Sequence, residues 1–147
     1  MSSLSKPSEK VGLLGVIDPD AYAAGTYVST YAPIGLYHNA LGVLHVGDMV
    51  ATSTVTARML QATDAAGTGA KVITGKLATT LTAAGTDSNK QVLFNVSEHD
   101  LDHENGFAFV AIEVVVAMAA SDMSAEVYGL DPKLGVVTQP ATVDETL

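Results

Sequence analysis

The chain has 147 residues, of which 48% are hydrophobic and only 16% charged, and its 16 acidic and 7 basic residues give a formal net charge of −9. This balance argues against nucleic acid and anionic membranes as partners, because both require clustered Lys and Arg. Cysteine is absent, which excludes disulfides and thiolate zinc sites. The length fits one domain, and the mean hydropathy of +0.29 favours a homo-oligomer, because a small domain cannot hide so much apolar surface internally.

The first 22 residues differ in composition from the rest of the chain. Ser, Lys and Pro precede a short apolar patch, and Pro7 and Pro19 discourage helix at the residues before them. An extended N-terminal arm that lies on a neighbouring subunit and a frayed terminus are both compatible with this pattern. The apolar patch is too short for the core of a signal peptide, so we expect none.

Residues 23–131 consist of short strand-like runs separated by turns rich in Ala, Gly, Thr and Asp. This spacing predicts an all-β fold, a single antiparallel β-sandwich of jelly-roll-like type. The pattern slips in phase at Met59 and Leu60, which predicts a bulge there. The predicted strands are residues 25–31, 41–46, 54–62, 76–81, 91–96 and 107–118.

The run 107–118 has apolar residues on both of its faces. One stripe is an unbroken core pattern: Val110, Ile112, Val114, Val116 and Met118. The opposite stripe includes Phe107, Phe109 and Val115, where a strand with one solvated face would carry polar residues. We therefore predict that these three residues form an interface with a neighbouring subunit.

The acidic loop 98–106 is the best metal candidate in the sequence. Asp100, Asp102 and Glu104 stand at the first, third and fifth positions of a calcium-loop pattern, but Asn105 replaces the required Gly and Ala111 the final Glu. His99 and His103, four residues apart, could share a metal only on a helix. We read the loop as a solvated connection and predict no metal site and no cofactor.

Signals for other chemistry are equally weak. The turn 67–71 has two glycines before a lysine but lacks the ending and the strand-to-helix context of a phosphate loop. His45, paired with Asp48, could be half of a catalytic dyad, although a histidine in an apolar run is more often structural. No catalytic residues are predicted, and an enzyme is the least supported class. Residues 132–147 form a C-terminal tail with two prolines and no clear period.

Several segments of the chain resemble a family of tailed-phage head proteins. The resemblance is a pattern of strands and turns over about two-thirds of the chain, and it includes no catalytic signature. The segments are 44–49 (LHVGDM), 55–64 (VTARMLQATD), 65–76 (AAGTGAKVITGK), 89–92 (NKQV), 101–102, 105–107 and 127–131 (VYGLD).

The family so resembled is that of capsid decoration, or cement, proteins. The resemblance implies a β-rich trimer on the outer surface of the virion, made in the bacterial host cytoplasm. It implies binding to the major capsid protein at threefold or quasi-threefold positions, where the shell is stabilised against packaged DNA. Two other classes stay open: a neck, tail or receptor-binding subunit of the virion, and a stand-alone binding module such as a calcium-dependent lectin-like sandwich.

Overall fold

The computed structural model describes residues 6–147 of the chain. Within this range the fold is built almost entirely from strands, and the helical segments are single 3-10 turns at Pro7–Glu9, Glu98–Asp100 and His103–Asn105. The strands are β1 (Val11–Tyr22), β2 (Gly25–Val28), β3 (Ala32–Pro33), β4 (Tyr37–Met49), β5 (Thr54–Ala62), β6 (Lys71–Leu77), β7 (Leu81–Thr82), β8 (Gln91–Ser97), β9 (Phe109–Ala117) and β10 (Ser121–Pro132).

The strands form two antiparallel sheets. Sheet 1 has the order β1-β10-β4-β8, and sheet 2 has the order β2-β9-β5-β6. The two-residue strands β3 and β7 lengthen the edges of sheet 2 by pairing with β9 and β5. If β2 and β3 count as one edge strand, and β6 and β7 as another, eight strands remain. Renumbered from 1 to 8 along the chain, they have the order 1-8-3-6 in sheet 1 and 2-7-4-5 in sheet 2. This is a jelly roll, so the predicted fold class is confirmed.

The hydrophobic core lies between the two sheets. Alternate residues of each strand point inward, and a β-carbon at Gly42 in sheet 1 would lie only 2.5 Å from Met59 Sδ in sheet 2. The close approach at Gly42 lets the long Met59 side chain cross the interior. The completely buried large side chains come from both sheets and include Ile34, Leu44, Met59, Ile73, Ile112, Val55, Val96, Val110, Val114, Val116 and Val127.

Strand β9 bears out the core stripe predicted for 107–118, except at its end. Val110, Ile112, Val114 and Val116 are 0–1% exposed. Met118 was predicted to continue this stripe, and that prediction is wrong. β9 ends at Ala117, and Met118 occupies the following turn with φ 69° and 78% exposure.

Two other predicted strands are divided differently in the structure. The run 25–31 ends as β2 at Val28, and the buried Ser29 exchanges hydrogen bonds with the main chain of Ile112 through its own N–H and its Oγ. The run 76–81 is divided as well: residues 76 and 77 end β6, residues 78–80 are a connection, and Leu81 begins β7. The register shift beside Met59 does occur, but it lies between β5 and β6. Arg58 is opposite Leu77 and Leu60 is opposite Val72, so two residues along β5 correspond to five along β6. β5 itself pairs regularly with β9.

The N-terminal region differs from the predicted arm. Residues 11–22 form β1, an edge strand of sheet 1 that pairs with β10, so the sandwich begins before residue 23. Residues 1–5 of the predicted arm lie outside the described range. β10 likewise extends to Pro132, one residue into the predicted tail. The boundaries 1–22, 23–131 and 132–147 therefore do not coincide with the edges of the sheets.

Candidate functional site

Two carboxylates of the acidic loop 98–106 are paired with lysines from β6. Lys71 Nζ lies 2.7 Å from Asp102 Oδ2, and Lys76 Nζ lies 3.8 Å from Asp100 Oδ2. These pairs tie the loop, which connects β8 of sheet 1 to β9 of sheet 2, to the edge strand β6 of sheet 2. Within residues 6–147, no three His, Cys, Asp or Glu side chains are grouped so that they could hold a metal ion.

Glu98 connects the same loop to two further elements. Its carboxylate pairs with Lys133 at the start of the tail and, at 3.3 Å, with Nδ1 of His38 in β4. His103 Nε2 lies 2.6 Å from the Glu98 carbonyl oxygen, inside the loop. The loop's charged groups therefore join β4, β6 and the tail, which is a structural use of the residues that resembled metal ligands.

A buried glutamine, which the sequence pattern did not single out, anchors the loop to the core. Gln61 points inward from β5 and is only 4% exposed, and its Oε1 accepts a hydrogen bond of 2.8 Å from the N–H of Asp102. Leu101 beside it is buried. The loss of alternation at Leu60 was a sequence signal for this buried region, because residues on both faces of β5 are buried there.

The ion pairs predict how the loop responds to acid. The pKa of Asp102 is held below its ordinary value because the carboxylate accepts hydrogen bonds from Lys71 and Asn105. The pKa of Glu98 is lowered by Lys133 and then by His38. A carboxyl whose pKa is lowered by folding stabilises the fold when the pH is above the pKa that the group has in the unfolded chain. That contribution is lost as the pH falls through the folded value.

Asp102→Asn is expected to reduce the steepness with which stability falls below about pH 4, the ordinary range of an Asp carboxyl. The measurement is the midpoint of thermal unfolding between pH 7 and pH 2. Glu104→Gln is the control, since Glu104 is exposed in the same loop and forms no ion pair among the described residues. Equal pH profiles for the two variants would contradict the structural role of Asp102.

The other two candidate sites, His45 with Asp48 and the turn 67–71, make contacts within the fold. His45 is exposed on the outer face of sheet 1, where its Nε2 lies 3.8 Å from Glu126, and Asp48 takes no part in the pair. In the turn 67–71, a β-carbon at Gly67 would lie 2.5 Å from the ring of Tyr31. This turn is the β5–β6 connection folded onto the sandwich and has no helix after it.

The three predicted interface residues occupy different environments. Phe107 precedes β9 and is 9% exposed, with Lys71 Nζ 4.2 Å from its ring centroid. Phe107 is thus largely covered by the chain itself, and its predicted contact with a neighbouring subunit stays a prediction. Phe109 and Val115 are half-buried on the outer face of sheet 2, and their contact with a neighbour stays a prediction.

The outer face of sheet 2 combines exposed apolar side chains with one ion pair. Arg58 Nε donates to Glu113 Oε1 at 2.5 Å, and the two residues are opposite each other on β5 and β9. Val28 faces Glu113 from β2 and is 40% exposed, while Leu77 faces Arg58 from β6 and is 58% exposed. Among residues 6–147 no helix covers this face.

The C-terminal tail binds the first residues of β1, the edge strand of sheet 1. Gln139 Oε1 accepts from the N–H of Leu13 at 3.0 Å, and its Nε2 donates to the carbonyl oxygens of Val11 and Ser8. Main-chain groups of an edge strand would otherwise be available to another chain. The tail thus occupies the start of the β1 edge, at residues 11–13.

Comparisons with known proteins reveal only distant similarity. No protein-family model matches the chain, and no curated protein sequence matches it. A chain of infectious bursal disease virus, Gt strain, has a TM-score of 0.45 and 12% identity over 86% of this chain and 34% of its own length, and the Gx strain gives 0.42 and 12% over 86% and 33%. This chain thus spans about a third of the length of those chains.

A chain of the empty virus-like particle of cowpea mosaic virus has a TM-score of 0.34 and 11% identity, over 92% of this chain and 89% of its own length. Similarity of this strength identifies no family.

Separately, the described residues include no helix with the length and apolar character that crossing a membrane requires.

Proposed function

We propose that this protein is a decoration protein of a tailed-phage capsid. It binds the outer surface of the major capsid protein shell, as a trimer at threefold or quasi-threefold positions, and stabilises that shell. It is made in the cytoplasm of the bacterial host and becomes part of the virion. The proposal combines the sequence resemblance with the jelly roll, a fold that hosts many functions and therefore does not decide among them.

The observation that carries the proposal is the outer face of sheet 2. Val28 and Leu77 are exposed there beside the half-buried Val115, and the helical segments among residues 6–147 are too short to form a covering layer. An exposed apolar face on a soluble domain indicates association with other chains. The acidic loop, in contrast, is held by lysines and has a structural role.

The physical properties of the chain suit a shell-binding protein. A trimer presents three copies of each contact, so weak individual contacts add up to tight attachment. The net charge of −9 disfavours binding to DNA and limits non-specific association. The tail's contacts with residues 11–13 shorten the part of the β1 edge that is open to another strand.

Deletion of the coding sequence from the source phage tests the proposed function. Particles that lack the protein should assemble and package DNA, but release that DNA at a lower temperature than complete particles. The measurement is DNA release against temperature, with the protein added back as a control that restores the original midpoint. An unchanged release temperature, or particles that fail to assemble at all, would contradict a decoration role.

Val115→Asn and Phe109→Ser are each expected to convert the trimer into 15.1-kDa monomers. Both changes place a polar group on the outer face of sheet 2, where apolar contact with a neighbouring copy is proposed. The measurement is the native mass of the purified protein. Leu93→Ser is the matched control, because Leu93 is 63% exposed on β8 of the other sheet. Unchanged native masses for both interface variants would contradict the proposed contact.

A further inference from the structure

One end of the sandwich carries an exposed apolar surface made by two adjacent turns. The N–H of Val50, after β4, donates to the carbonyl oxygen of Ala120, before β10, at 3.1 Å. The β7–β8 connection braces the same end, since Ala83 N–H donates to Ser53 O at 3.0 Å. We call this surface the apolar tip, and its residues are Val50, Ala51, Met118, Ala119 and Ala120.

Met118 is poorly suited to its position if only folding is considered. Its φ of 69° is in the left-handed region, which a bulky side chain adopts at a cost in free energy and which glycine adopts freely. Its side chain is 78% exposed, so packing within the chain does not offset that cost. Val50, whose N–H donates to the carbonyl oxygen of Ala120, is 54% exposed. Thr52 in the adjoining turn also has a positive φ, of 74°, and what distinguishes Met118 is its exposed side chain, since an exposed methionine provides an adaptable apolar contact.

The charges around the apolar tip are acidic. Asp48 precedes Val50 by two residues, and Asp122 follows Ala120 by two. Asp122 lies opposite Ala21 of β1. Asp20, the residue before Ala21, adds a third carboxylate. The three carboxylates are exposed and form no ion pair among the described residues.

The only lysine of the adjoining connection, Lys90, is paired with Asp87 at 2.5 Å. The surface that fits this end therefore has an apolar recess surrounded by basic groups. A second copy is disfavoured as the occupant, because two acidic borders would repel one another.

We propose that the apolar tip inserts Met118 and Val50 into an apolar recess with a basic border on the major capsid protein. This inference rests on the proposed function and adds the surface by which the protein grips the shell. The outer face of sheet 2 remains available for contacts between copies. The two surfaces differ in position, since the apolar tip is at one end of the sandwich and the sheet face is on its side.

The test uses particles made without the protein, to which purified variants are added back. Met118→Gly should fold at least as stably as the natural chain, since glycine relieves the left-handed conformation. It should nevertheless bind the particles about tenfold more weakly or worse, as loss of a central apolar contact does. Val50→Ser should also weaken binding. Leu36→Ser is the control, because Leu36 is 63% exposed at the opposite end of β4 and its loss should leave binding within about twofold.

The charge requirement has its own readout. Asp48→Asn with Asp122→Asn should slow association with the particles and reduce its dependence on salt. Binding of Met118→Gly and Val50→Ser equal to that of the natural chain would overturn the role of the apolar tip. So would Met118-dependent self-association of the free protein. Particles that never bind the natural chain would instead refute the proposed function itself, so the two failures are distinguishable.

Discussion

Ile112→Ala is expected to lower the free energy of unfolding by about 2–5 kcal/mol, as deletion of a large buried aliphatic side chain does. Ile112 is completely buried at the middle of β9, opposite Met59 of β5. Its main chain is held by Ser29 on one side and by β5 on the other. Because the backbone is fixed from both sides, the surrounding chain cannot collapse into the space that the side chain leaves.

Chemical denaturation with urea measures this loss. Leu93→Ala is the control, because Leu93 is 63% exposed on β8 of sheet 1, away from the proposed contact between copies, and its truncation should change stability by no more than about 0.5 kcal/mol. If the two alanine variants unfold at the same urea concentration, the assignment of β9 to the centre of the core is wrong.

Gly129→Ala is expected to destabilise the fold by about 1–3 kcal/mol through overpacking. A β-carbon at Gly129 would lie 2.6–2.7 Å from three atoms of the Tyr37 ring. That ring is 6% exposed, and its hydroxyl end lies at the β-carbon position of Gly12 in the neighbouring strand. Tyr37 thus fills the space that two glycines leave, and it has little freedom to move aside.

Gly35→Ala gives the matched control for this prediction. No atom lies within 4 Å of a β-carbon at Gly35, so this change should be neutral or stabilising by up to about 1 kcal/mol. The double variant Gly129→Ala with Tyr37→Ala should be less unstable than the sum of the single changes. A strictly additive result would show that the Tyr37 ring does not limit the size of residue 129.

The fold could be predicted from sequence because its signal is local. Alternation of apolar residues along 107–118 places Val110, Ile112 and Val114 on one face, and the structure keeps them there. Met118 was wrongly assigned because periodicity does not report where a strand ends. The hydrogen bonds and left-handed turn that end β9 depend on the adjoining strand and on the turn after β4.

The N-terminal region was harder for a related reason. β1 contains Pro19 and carries two register shifts against β10, so its residues lack the regular alternation that marks a strand. The strand is held by pairing with β10 and by the side chain of Gln139, more than 120 residues away in the sequence. Such long-range contacts leave no local pattern.

The candidate surfaces show the same division between local and tertiary information. The charges of the acidic loop were visible in the sequence, but their lysine partners on β6 were not, because the pairing depends on how the two sheets meet. The apolar tip was equally hidden. Val50 and Met118 are 68 positions apart, and the jelly-roll connections bring their two turns together at one end of the sandwich.

Quantitative mass spectrometry of purified particles from the source lysate tests the decoration role most directly, by counting this chain against the major capsid protein. A decoration protein should be present near one copy per shell subunit, or as one trimer at each threefold position. A few copies per particle would indicate a neck or tail subunit instead. Complete absence of the chain from the particles would contradict a role in the virion.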